Sequence, residues 1–406
     1  MRCDVLVLGA GPAGSALANE LARDGFHVLL ADRKAFPRHK PCGEFLSPQC
    51  APYLAALAPV APIESLGVHL VAGMRLHAYG TRAVGRFRQL AGRPATDRAG
   101  FGVRRERFDH WLVQAAQRAG ALFLPRHECK GLLRGPDGSV IGAMLRDEGG
   151  ALHACAARWV IGADGVHSRV ARELGVQRRV RWLDQFALVA HFEGVQPMPT
   201  AEVHLLPGGF FAATTVDENL FSVNLVLPRT ALQARTGNDW DAFVASWFAL
   251  APGIGERLAG ARRLEPWRGT GPLAWSTSAQ TFRGGALVGD AAGYVDPLTG
   301  EGIYYALFGA RALAEALRQA LHEPARSEHA LAAYSRARAR ELGPRLLAAK
   351  ALQRALRHPW LVRSFLQGLR CWPAAADLLV TMSGDTIHPR DLLRLSFWRD
   401  FGAATA

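Results

Sequence analysis

The stretch VLVLGAGPAGSALANELARDGFHVLLAD, residues 5–32, predicts how the chain folds at its amino-terminal end. An apolar strand, VLVL, leads into a glycine-rich turn, then into a helix that ends near Gly25 and a second apolar strand, HVLLA. Strand, helix and strand in this order form a βαβ unit, whose two strands lie parallel in one sheet. The sequence therefore predicts an α/β fold of the Rossmann type at this end.

The turn GAGPAG, which follows the first strand, has the spacing of a phosphate-binding loop. Gly9 allows the tight turn, Gly11 lets the backbone approach a pyrophosphate, and Gly14 lets the helix pack against the strand. Pro12 and Ala13 begin the helix, whose free N–H groups and partial positive charge favour bound phosphate. We therefore predict that these five residues bind a dinucleotide.

An acidic residue, Asp32, ends the second strand at the position where dinucleotide folds place the acid that binds the ribose hydroxyls. Arg33 follows it and belongs to the same predicted site. A carboxylate here fits an unphosphorylated ribose, which favours NAD or FAD over NADP as the ligand of this loop. The turn and the acid leave the choice between NAD and FAD open.

Two motifs farther along the chain resemble those of flavoproteins. WVIGADGVHSR, residues 159–169, resembles the Asp-Gly motif of flavoprotein monooxygenases, with its aspartate at Asp164. GDAAG, residues 289–293, resembles the Gly-Asp motif whose aspartate, here Asp290 after Gly289, binds the ribityl chain of FAD. In order and spacing, the motifs are similar to the glutathione-reductase-type FAD fold of group A flavoprotein hydroxylases, flavin-dependent halogenases and geranylgeranyl reductases. The resemblance implies FAD as the cofactor.

The loop DPLTGEGIYYA, residues 296–306, looks most like the geranylgeranyl reductase branch of these families. A glycine-rich turn that leads into a helix presents backbone N–H groups, here to the flavin pyrimidine ring, where negative charge develops on reduction. The resemblance implies that Pro297, Gly300, Glu301 and Gly302 contact the cofactor.

The segment FPRHKPCGE, residues 36–44, also looks like the reductase branch, but the match is incomplete. The reductases usually continue their cysteine motif as Cys-Gly-Gly, whereas Glu44 stands in the third position here. This variant resembles a segment of halogenases and of hydroxylases that act on carrier-bound or polyketide-like substrates. Halogenation is disfavoured because the sequence lacks the Trp-x-Trp-x-Ile-Pro motif typical of many halogenases. Reduction and hydroxylation both remain open.

Three polar residues are candidates near the predicted flavin. The resemblance places Cys42 beside the cofactor, where a thiol can tune the flavin or donate a proton; an inert buried thiol is the alternative. Glu44 is a candidate acid or base, or else a solvated side chain. Arg105 lies three residues before a Phe-Asp pair that starts a helix, where these families keep an arginine near the cofactor. Cys42 and Glu44 are our candidate catalytic residues.

The predicted fold class is α/β: a Rossmann-like FAD-binding domain, a second antiparallel β-sheet domain for the substrate, and a carboxy-terminal helical segment. Short apolar runs between residues 186 and 227, separated by turn-forming residues, predict the second sheet. The predicted boundaries are 1–70, 98–178 and 270–340 for the discontinuous FAD-binding domain, 71–97 and 179–269 for the substrate-binding sheet, and 341–406 for the helical region. We expect the helices to break near Pro344, Pro359, Pro373 and Pro389.

Composition restricts the class of protein. A chain of 406 residues with 49% apolar content can bury a large core, and its net charge of +13 comes without a nucleic-acid-binding motif. The uncharged stretch between Glu44 and Glu64 contains four prolines, which argues against a membrane-spanning helix. The six cysteines have neither metal-ligand spacing nor the density of a disulfide scaffold. We expect a cytoplasmic protein with reduced thiols, no metal site, no nucleic-acid partner and at most peripheral contact with a membrane.

These observations favour an FAD-dependent monooxygenase that hydroxylates a small apolar or aromatic substrate, free or carrier-bound. No second GxGxxG motif is present for a nicotinamide, so NAD(P)H is expected as a transient reductant. The alternatives are a reductase of isoprenoid double bonds and a non-catalytic flavin-fold binding protein. Residues 353–401, where tryptophans lie among arginines, are expected to pack on the FAD-binding part, cover the pocket, dock a carrier protein or touch a membrane. The oligomeric state is left open.

Overall fold

The computed structural model describes residues 1–57, 62–88, 99–235, 239–395, 397 and 398. Parts of the predicted segments 71–97 and 341–406 lie outside the described residues. The strands are β1 Arg2–Leu8, β2 Val28–Ala31, β3 Phe45–Leu46, β4 His69–Val71, β5 Gly73–Ala78, β6 Thr81–Arg86, β7 Gly100–Gly102, β8 Leu122–Leu124, β9 Glu128–Arg134, β10 Val140–Arg146, β11 Leu152–Gly162, β12 Gln177–Arg179, β13 Gln185–Glu193, β14 Ala201–Leu206, β15 Gly209–Val216, β16 Leu220–Pro228, β17 Arg262–Arg263, β18 Arg268–Thr270, β19 Trp275–Thr277, β20 Thr281–Phe282 and β21 Gly285–Leu287.

The helices lie between these strands and after the last of them. The α-helices are α1 Pro12–Arg23, α2 Cys50–Ala55, α3 Arg105–Arg118, α4 Arg169–Glu173, α5 Arg229–Gln233, α6 Trp240–Phe248, α7 Pro252–Arg257, α8 Gly302–His322, α9 Ser327–Ala355, α10 Pro359–Cys371 and α11 Pro373–Ser383. Short 3₁₀ turns cover Ile63–Leu66, Arg181–Leu183, Gly289–Ala292, Pro324–Arg326 and Pro389–Leu393.

The first sheet contains the parallel βαβ unit that the opening stretch predicts. Its strands lie in the order β20-β21-β11-β1-β2-β8, and β1 runs parallel to both neighbours, with Val5 opposite Val28 and Trp159. The β9–β10 hairpin pairs antiparallel with the first half of β11. Because β2, β1, β11 and β21 are parallel, their carboxyl ends share one edge of the sheet. The loops after these strands, including those that begin at Gly9 and Ala163, therefore emerge side by side.

Helices α1, α3 and α8 cover one face of this sheet. Alternate residues of β1 face opposite sides, so Val7 packs with Leu17 of α1, Leu112 of α3 and Leu313 of α8. Leu6 packs on the other face, with apolar residues of the β9–β10 hairpin and α4. Both faces of the parallel strands are thus buried, as an α/β fold requires.

The second sheet has the strand order β17-β13-β16-β15-β14-β5-β6, with β18 also paired to β13. Strands β13 to β16 are the four strands that the short apolar runs predict. One pair, β14 with β5, is parallel, so this sheet is mixed. The reason is that β5 comes from a distant part of the chain, and no hairpin turn dictates its direction.

The expected break at Pro344 is wrong, because α9 continues through it from Ser327 to Ala355. The ring of a proline removes one intrahelical hydrogen bond, but buried side chains on both sides of Pro344, Leu342 and Arg345, hold α9 in place. Tertiary packing against α8 therefore outweighs the local preference.

Pro359, Pro373 and Pro389 do mark breaks, and each begins the next helical segment. The first turn of a helix tolerates proline because its missing N–H has no partner there. Helices α10 and α11 pack on β5 and β6 of the second sheet, not on the FAD-binding part, where packing was expected. Asp377 of α11 accepts hydrogen bonds from the Arg86 N–H at 2.7 Å and from Arg88 Nε at 2.7 Å.

Replacing Pro344 by Ala is expected to stabilise the protein by about 1–3 kcal/mol, because the variant restores an intrahelical hydrogen bond. The midpoint of thermal unfolding measures this effect. Pro359→Ala is the matched control, since Pro359 lies in the first turn of α10 and its substitution should bring no gain. Equal midpoints for Pro344→Ala and the native chain would contradict the helix through Pro344.

Candidate active site

The glycine turn after β1 is shaped by close contacts. A Cβ atom on Gly14 would lie 1.9 Å from the carbonyl oxygen of Gly9, and one on Gly9, whose φ is 110°, would lie 2.4 Å from the Ala163 oxygen. A Cβ on Gly11 would find only the Arg38 guanidinium, 3.9 Å away. Packing therefore demands glycine at two of the three positions, while Gly11 borders open space of the kind a pyrophosphate needs.

Asp32 stands at the carboxyl end of β2 and is 8% exposed. Its two carboxylate oxygens accept hydrogen bonds from the backbone N–H groups of Ala10 at 2.9 Å and Lys34 at 2.8 Å. The carboxylate thus ties the glycine turn to the end of β2, where the ribose acid is predicted. Arg33, next to it, is exposed.

Asp164 belongs to the loop between β11 and α4. Its carboxylate accepts hydrogen bonds from the Ser168 hydroxyl at 2.5 Å and from the backbone N–H of Arg169 at 2.6 Å. Burial raises the pKa of this carboxyl, against these hydrogen bonds. Its Cα would lie 2.8 Å from a Cβ on Gly9, so the Asp-Gly loop packs directly on the glycine turn. Within the protein, the Asp164 side chain holds this loop in shape.

Asp290 is the second residue of the 3₁₀ turn after β21, and Gly289, which begins this turn, packs against Ala13 of α1. Lys40 approaches from the segment after β2. Burial and the charge of Arg105 lower the pKa of Lys40, whereas the charge of Asp290 opposes that shift. The carboxylate and ammonium group therefore lie near the glycine turn, where a cofactor with hydroxyls and phosphates would meet both signs of charge.

Arg105 begins α3 and is 4% exposed. Its guanidinium donates two hydrogen bonds to Asp109, from Nε at 2.7 Å and from Nη2 at 2.8 Å. Arg38 approaches the same carboxylate at 3.1 Å. Arg38, Lys40 and Arg105 therefore give this part of the site more positive than negative charge. A net positive charge suits the pyrophosphate of a dinucleotide.

The loop before α8 is closed by a hydrogen bond from the Gly300 N–H to the Pro297 carbonyl at 3.2 Å. Gly300 has a φ of 71°, and a Cβ there would lie 2.9 Å from the Phe45 ring. The ring of Tyr294 lies 3.3 Å from the place of a Cβ on Gly302. The Gly300 N–H is therefore already paired, and the N–H groups left for a flavin are those of the first turn of α8, beginning with Gly302.

The side chain of Glu301 points to the carboxy-terminal part of the chain. It accepts a hydrogen bond from the Tyr305 hydroxyl at 2.6 Å and lies 3.7 Å from Arg345. Arg345 also donates to Asp385 at 3.0 Å. Burial and the nearby charge of Glu301 raise the pKa of Asp385 well above its usual range. The cluster of Glu301, Arg345 and Asp385 connects the segment after α11 to the predicted flavin loop. No sequence motif indicates this cluster, because its three charged residues lie far apart along the chain.

Glu44 is 1% exposed, so the solvated alternative is wrong for this residue. Its φ of 56° is rare for a residue other than glycine. One carboxylate oxygen accepts a hydrogen bond from the Arg105 N–H at 3.0 Å, and the other lies 2.5 Å from Nε2 of His191 on β13. Nδ1 of His191 lies 2.6 Å from Glu265. Glu44, His191 and Glu265 form an ion triad between the first part of the chain and the second sheet.

The electrostatics of the triad keep His191 protonated. Burial alone would lower the pKa of His191, but hydrogen bonds and charge from Glu44 and Glu265 outweigh it and raise the pKa to about 9. The sequence alone does not indicate His191 and Glu265, because a lone histidine in a strand belongs to no motif and both of its partners are distant along the chain.

Cys42 is half-buried, and its sulfur accepts a hydrogen bond from the Glu44 N–H at 3.4 Å. The thiol also contacts the Arg105 guanidinium. Tyr294 lies in the same region, and burial together with the charges of Asp290 and Asp296 raises the pKa of its phenol well above 10. Tyr294 therefore stays protonated at physiological pH, so a thiol and a phenol both border the predicted flavin loop.

An apolar wall from the second sheet faces Tyr294. Its buried members come from β13, β14, β15, β16 and the segment before β19, and half-buried apolar side chains complete it. They are Ala187, Val203, Phe210, Val226 and Leu273, with Leu76, Leu205, Ala212, Tyr294 and Leu298 packed against them. Tyr294 and Leu298 thus pack on a buried apolar cluster, which excludes water from this side of the predicted flavin loop.

A family model described as an FAD binding domain matches residues 2–206. This chain belongs to the family of FAD-dependent monooxygenases and geranylgeranyl reductases. It is an FAD-dependent oxidoreductase, and FAD is its cofactor. The family assignment thus removes the alternative of a non-catalytic binding protein. The open edge at Gly11, the charges around Lys40 and the first turn of α8 fit this cofactor. The predicted residues of the motifs would hold it.

Two curated relatives and one solved structure illustrate the range of the family. Digeranylgeranylglycerophospholipid reductase 2 of Methanopyrus kandleri is 30% identical over 80% of this chain and 78% of its own length. Conditioned medium factor receptor 1 of Dictyostelium discoideum is 29% identical over 82% of this chain, which spans 66% of that relative. The myxobacterial chondrochloren halogenase CndH is 26% identical, with a TM-score of 0.79 over 86% of this chain and 82% of that one.

A membrane-spanning helix and a metal centre are both absent from the described residues. Among them, no helix combines the length and apolarity that a bilayer crossing needs. No three His, Cys, Asp or Glu side chains of the same residues converge in a way that could hold a metal ion.

Replacing Asp290 by Ala is expected to weaken FAD binding by at least about tenfold, since the variant loses a charged hydrogen-bonding group at the ribityl position. The ratio of flavin to protein absorbance after gel filtration measures retention. Asp137→Ala removes an exposed aspartate from the β9–β10 turn and should keep full flavin content. Native flavin content in Asp290→Ala would refute the assignment.

His191 should make stability depend on pH. Its folded pKa of about 9 lies above the unfolded value near 6.5, so its stabilisation, up to about 3 kcal/mol, is complete below pH 6.5 and is lost as pH rises through 9. The unfolding midpoint of His191→Gln should therefore lie below that of the native protein at pH 6, and the gap should shrink toward pH 9.5. His329→Gln, at an exposed position of α9, is the control. A gap that does not change with pH would contradict the raised pKa.

Proposed function

We propose that the protein uses NAD(P)H and FAD to hydroxylate a small apolar or aromatic substrate, polyketide-like or carrier-bound. The observation that carries the proposal is the apolar wall of the second sheet, which faces the flavin loop across Tyr294. When bound, FAD would accept a hydride from NAD(P)H and activate O₂ for transfer to an electron-rich carbon. A dry, apolar compartment favours this reaction because it protects reactive oxygen species from water.

In this proposal, different residues of the chain bind the cofactor, orient the substrate and donate a hydrogen bond. The charges of Arg38, Lys40 and Asp290 would bind the polar parts of the cofactor, and the N–H groups at the start of α8, beginning with Gly302, would meet its pyrimidine ring. The wall orients the substrate. Tyr294, held protonated by its surroundings, can donate a hydrogen bond to the oxygen being transferred. NAD(P)H visits transiently, since the sequence has no second GxGxxG motif to hold it.

Reduction of isoprenoid double bonds is a second candidate, favoured by the place of Cys42. Saturating a carbon–carbon double bond requires a hydride at one carbon and a proton at the other. Cys42 and Tyr294 are both protic groups beside the flavin loop. The Methanopyrus kandleri relative, a reductase by name, supports this candidate.

Isotope labels in the product separate the two reactions. Purified holoprotein with NAD(P)H is given 5-pentadecylresorcinol under ¹⁸O₂ as a hydroxylation probe, and geranylgeraniol in D₂O without oxygen as a reduction probe. Hydroxylation predicts one ¹⁸O atom in the resorcinol product. A saturated, deuterated alcohol formed without O₂, with no ¹⁸O product, would overturn the monooxygenase assignment in favour of the reductase.

Replacing Tyr294 by Phe keeps the ring and removes the hydroxyl, and we expect kcat to fall by about 10–100-fold with unchanged flavin content. The rate of NAD(P)H-dependent product formation measures the effect. Tyr79→Phe, at the turn between β5 and β6, is the control and should keep native kcat. Native turnover in Tyr294→Phe would limit Tyr294 to packing.

A further inference from the structure

Helix α10 exposes large apolar side chains on its outer side. Trp360 near its start is 68% exposed, Phe365 in its middle 47%, and Trp372 directly after its end 64%. The opposite side of the helix is buried through Val362 and Leu366. Three large aromatic side chains in water along one short helix require an explanation, because single exposed apolar residues are ordinary but a row of them is not.

The same part of the chain is strongly basic. No Asp or Glu occurs between Glu341 and Asp377, whereas six Arg or Lys residues do. Two of them, Arg363 and Arg370, are exposed on α10. By helical periodicity they lie on one flank of the helix and Phe365 lies on the other. Neither arginine has a carboxylate partner among the residues that the structure describes. The outer face of α10, defined by Trp360, Arg363, Phe365, Arg370 and Trp372, therefore combines aromatic side chains with unneutralised positive charge.

The inner face of α10 continues into the apolar wall. Val362 and Leu366 pack with Leu76 and Leu205, and these two residues also pack against the wall that faces Tyr294. Helix α10 is thus the outer boundary of the proposed substrate compartment. One side of this helix contacts the compartment and the other is exposed to the surroundings.

We propose that the outer face of α10 binds the surface of an anionic lipid bilayer, from which the apolar substrate enters the compartment. The apolar residues Val362 and Leu366 pack on the second sheet, so the contact with the bilayer would be made by the exposed aromatic side chains at the interface. Tryptophans at both ends of the helix suit the interface, and arginines between them suit anionic head groups. The lipid source of the substrate rests on the proposed function, whereas binding of α10 to the bilayer does not.

The holoprotein is tested by co-sedimentation with vesicles of phosphatidylglycerol and phosphatidylcholine, and with vesicles of phosphatidylcholine alone. The native protein should bind the anionic vesicles more tightly and lose affinity as salt rises. The triple variant Trp360→Ser, Phe365→Ser, Trp372→Ser should lose more than about tenfold in affinity. The double variant Arg363→Gln, Arg370→Gln should lose about 30-fold.

Matched controls remove the same residue types elsewhere. Trp240→Ser removes a partly exposed tryptophan at the start of α6, and Arg134→Gln with Arg178→Gln removes two exposed arginines that bond only to backbone carbonyls among the described residues. Both controls should bind vesicles as the native protein does. All variants are compared only where flavin content and unfolding midpoint match the native values, so that loss of folding is not read as loss of binding.

Three results would overturn the inference. The first is no preference of the native protein for anionic vesicles at low salt. The second is equal loss in the controls. The third is loss in the arginine variant alone, which would mark a face for an acidic protein instead. Turnover of detergent-dispersed 5-pentadecylresorcinol tests the proposed function separately. Vesicle binding without turnover would refute the hydroxylase and leave the bilayer-binding face of α10 standing. Turnover without vesicle binding would refute the bilayer-binding face and leave the hydroxylase standing.

Discussion

The buried carboxylate of Glu44 joins the two halves of the active site. One of its oxygens accepts from the backbone at the start of α3, and the other pairs with His191 of the second sheet. A buried charge costs several kcal/mol unless it is paired, so both partners must stay within hydrogen-bonding distance. Cys42 and Arg105 lie beside Glu44, whereas His191 belongs to β13, which supplies part of the apolar wall. The pairing of Glu44 with His191 therefore fixes the distance between the flavin side of the site and the wall.

A second buried cluster holds the far side of the site. Arg345 of α9 faces Glu301 and Asp385, so the start of α8 is tied to the segment after α11. The side chain of Glu301 therefore holds the loop before α8 in its conformation. The backbone N–H groups at the start of α8 remain available to contact the flavin. The charged side chains of Glu44, His191, Glu301, Arg345 and Asp385 are paired within these two clusters, whereas Cys42, Tyr294 and the apolar wall lie beside the predicted flavin loop.

Helix α10 links this compartment to the outside of the protein. Its inner residues touch the side chains that line the wall, and its outer residues are aromatic and basic. A substrate too apolar to be carried in water needs a route that avoids water, and a helix with these two faces lies where such a route would begin. The proposed reaction and the proposed membrane contact thus concern opposite sides of one element.

Local patterns in the sequence determined the fold class and a dinucleotide site, whereas FAD as the cofactor was implied by the resemblance of the Asp164 and Asp290 motifs to those of flavoproteins. The glycine spacing, the acid at Asp32 and the strand alternation of β13 to β16 depend on neighbours within a few residues, so they could be interpreted without a structure. The helix through Pro344, the parallel pairing of β14 with β5 and the burial of Glu44 could not, because each depends on contacts between distant parts of the chain. Only the tertiary structure decided that Glu44 pairs with His191 and that α10 covers the second sheet, since no local pattern records which residues meet across a fold.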